Sequence, residues 1–78
     1  MTAVLVTGAY RFFFCSKEYV EPEHIHIQRD RAVANFWLEP IMLARSTEFT
    51  PDELIRGARL VGQHKATFQE AWNEHSGG

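Results

Sequence analysis

The chain contains one cysteine, Cys15. No internal disulfide can form, so a disulfide-stapled scaffold is excluded. A lone thiol in a predicted strand fits a reducing compartment, and a cytoplasmic location is expected. Long apolar runs are also missing. Val4 to Val6 is too short for a signal-peptide core, and Arg11 and Lys17 interrupt the next stretch. No targeting segment and no membrane span of roughly 20 apolar residues is therefore expected. There is no excess of basic residues: the formal net charge is −2. A general nucleic-acid binder usually carries a basic face, so only a local patch could serve that role. Internal repeats, heptads and low-complexity tracts are absent as well.

What is present is a chain of 78 residues, 45% of them hydrophobic. That supports one core, and residues 1–75 read as a single domain followed by a disordered tail, Ser76-Gly77-Gly78. A domain of this size buries only about 60% of its unfolded surface. Self-association or a partner protein would add to such a thin margin.

The first half of the chain reads as strands. Ala3 to Thr7 is rich in β-branched residues, and Gly8 ends it. Tyr10 to Cys15 alternates Tyr10, Phe12 and Phe14 on one face with Arg11, Phe13 and Cys15 on the other. Both faces are substantially apolar, as in a central strand covered on both sides. Ser16 to Glu23 is polar and proline-bearing, which predicts a loop. His24 to Gln28 has a clean period of two, with Ile25 and Ile27 opposite His24, His26 and Gln28. Arg29-Asp30-Arg31 reads as a tight turn and Val33 to Leu38 as the returning strand. A turn centred at Asp30 sets His26 near Val33 and His24 near Asn35. Pro40 interrupts the ladder, and Ile41 to Ala44 reads as a short edge strand.

The second half specifies a helix. Thr50 is placed as N-cap, Pro51 at the first helical position and Glu53 as the reciprocal member of a capping box. Phe49 and Leu54 flank the cap as a hydrophobic staple. Leu54, Ala58, Val61, Phe68 and Trp72 then form one stripe, within which Lys65 snorkels outward. Gly57 lies at the stripe's edge, where close approach to the sheet would account for it; the sequence offers no reason for Gly62. Strands followed by a helix with no later strand predict an α+β fold. It is an antiparallel sheet of four to five strands packed against one C-terminal amphipathic helix. One helix covers one sheet face, so the other face, with His24, His26 and Trp37, is where function is sought.

Several chemistries compete for that face. Two imidazoles two residues apart project side by side, and histidine titrates near neutrality. His24 and His26 are thus candidate catalytic residues, with Arg11, Arg29, Asn35 and Trp37 as candidate substrate-binding residues for RNA or nucleotide phosphodiester cleavage. The ordinary alternative is a pair of hydrogen-bonded strand histidines with a packing role. Cys15 has no cysteine partner at metal-ligand spacing, and no metal or other cofactor is expected. His24-Ile25-His26-Ile27-Gln28 also resembles the alternating motif of histidine-triad nucleotide hydrolases and transferases. That likeness spans five residues, without a glycine-rich phosphate loop.

A longer series carries a broader resemblance. Gly8, Arg11-Phe12-Phe13-Phe14, Ser16, Glu18, Glu21-Pro22-Glu23-His24-Ile25-His26-Ile27, Phe36-Trp37-Leu38-Glu39-Pro40 and Glu70-Ala71-Trp72 occur in order. From about Gly8 to His75, this resembles the small bacterial family called domain of unknown function 4160. Glu23 stands where the family usually has a second proline, and Arg29-Asp30-Arg31 where the turn often has glycine. The resemblance implies a compact bacterial protein, often encoded beside another small protein in a suspected toxin–antitoxin module. It therefore implies a protein-interaction role, with a partner encoded nearby or a second copy of the chain, and leaves RNA as a further partner. It transfers no catalytic residue.

Overall fold

A computed structural model of the chain describes residues 2–14 and 22–75. Cys15, most of the predicted loop from Ser16 and the tail from Ser76 lie outside the described residues. Five strands form one sheet: β1 (Thr2–Thr7), β2 (Tyr10–Phe14), β3 (His24–Arg29), β4 (Ala32–Leu38) and β5 (Ile41–Thr47). Every neighbouring pair is antiparallel and the spatial order is the chain order, an up-and-down meander. Helices α1 (Pro51–Gln63) and α2 (Lys65–His75) follow. The class is α+β, as the order of elements predicts.

The helical region differs from the expectation of one helix. The break lies at His64, whose φ of −113° and ψ of 18° leave the helical basin. The hydrogen-bond ladder still reaches it from both sides: His64 N–H donates to Leu60 C=O at 3.1 Å, and Phe68 N–H donates to His64 C=O at 3.0 Å. Side-chain periodicity could not reveal the break, because Val61, Phe68 and Trp72 stay in phase across it, all buried. The start of α1 is as expected. Thr50 accepts from Glu53 N–H, and Glu53 Oε1 accepts from Thr50 N–H at 3.2 Å. Two orphan donors of the first turn are satisfied in this way.

Both helices lie over one face of the sheet. Phe12, Ile25, Ile27, Ala34, Phe36 and Leu38 are nearly inaccessible there, packed with Val61, Phe68 and Trp72. The Phe12 and Phe68 rings stack at 5.2 Å, and the Phe14 ring meets Trp72 edge-on at 5.3 Å. Full burial of each such side chain stabilises by about 1.5–3 kcal/mol, so this layer carries the fold. Lys65 extends out of the stripe and reaches Glu39 at 2.8 Å.

Two expectations about the sheet need correction. The β3–β4 turn is Asp30-Arg31, not Arg29-Asp30-Arg31, and Asp30 takes the left-handed conformation at φ 54°. The register is therefore two residues further on than expected: His24 pairs with Trp37, His26 with Asn35 and Gln28 with Val33. A shift of two keeps every side chain on its expected face but changes its neighbour. Strand β5 runs through Thr47 rather than ending at Ala44, and a bulge opposite Asn35/Phe36 leaves Ala44 unpaired. All its residues after Ile41 are exposed.

The two helical glycines differ in setting. A Cβ on buried Gly57 would lie 3.5 Å from Ile27 Cδ1 and 3.6 Å from Phe36 Cε1, in ordinary contact. One on exposed Gly62 would meet only Ile41 Cδ1, at 3.7 Å. Neither position requires glycine for space. Gly57→Ala and Gly62→Ala are each expected to stabilise the domain by about 0.5–1 kcal/mol, read as a higher urea midpoint at unchanged slope. A lower midpoint for Gly57→Ala would mean that α1 sits closer to the sheet than described.

Candidate functional site

Cross-strand partners share a face, so the register gives the composition of the sheet side away from the helices. One row reads Val6, Arg11, Gln28, Val33 and Thr47 across β1 to β5. The next reads Ala3, Phe13, His26, Asn35 and Arg45, and a third reads His24, Trp37 and Met42. The bulge at Ala44 brings Arg45 into the second row; strict alternation from Met42 would have turned it toward the helices.

The two histidines do lie side by side, with ring centroids 5.4 Å apart and planes at 72°. They do not open to solvent: His24 is 2% exposed and His26 7%. His26 stacks on the Phe13 ring at 5.2 Å, nearly parallel at 10°. His24 is wedged between two tryptophans, 5.5 Å from Trp37 and 5.0 Å from Trp72. Its Nδ1 lies 2.9 Å from the Pro22 carbonyl oxygen. A carbonyl only accepts, so this nitrogen carries the proton, which assigns the tautomer. Gln69 Nε2 donates to Glu23 Oε1 at 2.6 Å, fixing α2 to the segment that enters β3. The contact of Trp72 with His24 accompanies that tether, and no local pattern in the chain announces it.

The candidate binding residues divide between the faces. Arg11, Asn35 and Trp37 share the helix-free face; Arg11 is exposed, Asn35 and Trp37 half-buried. Arg29 does not join them. It ends β3 in phase with Ile25 and Ile27, on the helix side, and its Nε lies 2.6 Å from Glu53 Oε2. The N–H does not point straight along that line, so the contact is an ion pair with bent hydrogen-bond geometry. Arg29 also bridges to Asp30 at 3.3 Å and lies 5.8 Å over the Phe49 ring. Sequence reasoning overlooked Arg45 and Met42, both exposed on the helix-free face. A polar depression of about 250 Å³, lined by Ala9, Arg11, Gln28 and Asp30, lies at one corner of it.

The sequence profile of the family described as Domain of unknown function (DUF4160) matches residues 9–73. The chain belongs to this family. No curated protein and no solved structure matches it. The DUF4160 match spans β2 to α2, and with them the histidines, Trp37 and the tether from Gln69. Among the described residues no group of three or more histidine, cysteine, aspartate or glutamate side chains could hold a metal ion. Among them, too, no helix is long and apolar enough to cross a membrane.

The Arg29–Glu53 pair has a pH signature. The Arg29 guanidinium, followed by the Thr50 backbone N–H, holds the Glu53 carboxyl below the usual carboxylate range. A carboxyl depressed by folding adds stability that is complete above the unfolded value, about 4.3, and is lost as pH falls through the lower folded value. Glutamine keeps the capping box without the charge. Glu53→Gln is therefore expected to be less stable than the parent at neutral pH, with the gap closing as pH drops below about 4. Urea midpoints measured across the acid range check this; a gap independent of pH would contradict the pairing.

Proposed function

We propose that this DUF4160 protein is a protein-interaction domain that binds a partner by strand addition along β5. The observation that carries this reading is the state of that strand. Among the described residues β5 pairs only with β4, and every position from Met42 to Thr47 is exposed. Met42 and Leu43 are 56% and 42% exposed large apolar residues on the sheet's open margin. Such a margin offers a row of unpaired backbone donors and acceptors, which an extended segment can extend as a sixth strand. Arg45 is the one charge on β5, so an apolar segment bearing a carboxylate complements it best.

The gene-neighbour arrangement implied by the family resemblance supplies a natural partner, the small protein encoded alongside, in a toxin–antitoxin-like module. A ribonuclease or phosphodiesterase reading needs substrate to reach His24 and His26. Their burial favours a packing role and so favours the interaction reading. A second copy of the chain would use the same strand and yield a homo-oligomer.

Co-expression with the neighbouring gene product, followed by size-exclusion chromatography, tests the proposal. Co-elution is expected for the parent. It should be lost in the doubly charged variant Met42→Lys with Leu43→Lys, whose circular dichroism stays native because both positions are exposed. Separate elution of the two folded parent proteins at micromolar concentration would contradict it. Co-elution that survives the double substitution would place the contact elsewhere.

A further inference from the structure

We infer that the helix-free sheet face binds single-stranded nucleic acid across β2 to β5, with Arg11 and Arg45 on phosphates and Trp37 stacking on a base. The chain as a whole is acidic, but the described residues of this face are not. Among the described residues, the rows of the helix-free face contain no carboxylate, and their formal charges are Arg11 and Arg45. Neither arginine has an ion pair among the described residues, whereas Arg29 and Lys65, on the helix side or in the helices, are paired with Glu53 and Glu39. Among the described residues Asp30, in the β3–β4 turn, borders the same depression as Arg11 and is engaged by Arg29 at 3.3 Å. Charge complementarity therefore points to an anion, and the separation points to an extended one. Arg11 and Arg45 stand three strands apart, ~14 Å at the usual strand spacing.

The groups between the arginines choose among anions. Half-buried Asn35 presents an amide able to donate to and accept from a base edge; the neighbouring Gln28 amide already donates to the Asp30 carbonyl at 3.0 Å. Trp37 is a half-exposed indole held at 77° to the His24 ring, which is itself fixed to Pro22 and backed by Trp72. The histidine pair thus becomes a buried buttress for an aromatic platform. A flat, accessible indole flanked by cations suits an unstacked base, whereas a duplex hides its base faces. An acidic peptide would use the arginines but gain nothing specific from the indole. Arg45 is common to this face and the β5 edge, whereas Arg11 and Trp37 lie off that edge, so the inference is separable from the interaction proposal through those two residues.

The test uses the full chain and a labelled, unstructured RNA of about 12 nucleotides, within the usual site size for such surfaces. Binding is followed by anisotropy and by tryptophan fluorescence over a range of salt. With two phosphate contacts, log affinity should fall against log salt with a slope of about −1.4. Arg11→Gln and Arg45→Gln, both at exposed positions, should each reduce that slope by about 0.7. RNA should quench the parent's fluorescence but not that of Trp37→Phe, since Trp72 is buried. A matched duplex and polyglutamate should compete poorly. Absence of binding at ~100 μM in low salt, the weak end of non-specific affinity, would overturn the inference. So would unchanged slopes in both arginine variants, or equal competition by polyglutamate, which would assign the face to acidic protein.

Discussion

A helix is about 10 Å wide, and α1 and α2 share one in-phase buried stripe, so together they cover about one helix width of a five-stranded sheet ~19 Å across. This mismatch governs the molecule. The aromatic and aliphatic layer under α1 and α2 is drawn largely from β2, β3 and β4, where Phe12, Ile25, Ile27 and Phe36 are almost inaccessible. The sheet's last strand is left to solvent, while on the opposite face Phe13, His24 and His26 are buried and Gln28, Val33, Asn35 and Trp37 half-buried. The exposed β5 margin is what the helical layer does not reach.

Within that arrangement the histidines take a different part from the one their spacing suggests. A His-x-His pair on a strand resembles an acid–base device, and its two rings do lie together. Yet His24 is enclosed by Trp37, Trp72 and His26, and His26 lies flat against Phe13. Each ring serves packing, and the proton on His24 is committed to a backbone carbonyl. The Gln69–Glu23 tether brings α2 to the end of the sheet, so Trp72 contributes both to the core and to the support beneath Trp37.

Much of this was legible in the sequence. Period-two alternation assigned the faces of β2, β3 and β4 correctly, because side-chain burial imposes it directly. The capping box located the start of α1 through local hydrogen bonding alone. What alternation and local chemistry cannot see was missed. The turn between β3 and β4 was misplaced because three polar residues compete for two turn positions, and the pairing moved by two residues. Arg45 was overlooked because a bulge at Ala44 reverses the alternation after it, and a bulge leaves no mark in a hydrophobic pattern. Arg29 was grouped with Arg11 as a cation for a phosphate, on charge alone, while its partner Glu53 is remote in sequence.

Hydrogen exchange resolved by residue, on the free chain and on the chain mixed with its gene neighbour, tests the openness of β5 most directly. In the free protein the amides of β3 should be strongly protected, while those of β5 that point away from β4 exchange fast. Addition of the partner should slow that same subset within Ile41–Thr47. Uniform protection of β5 in the free monomer, or slowing confined to the helices on mixing, would contradict this account.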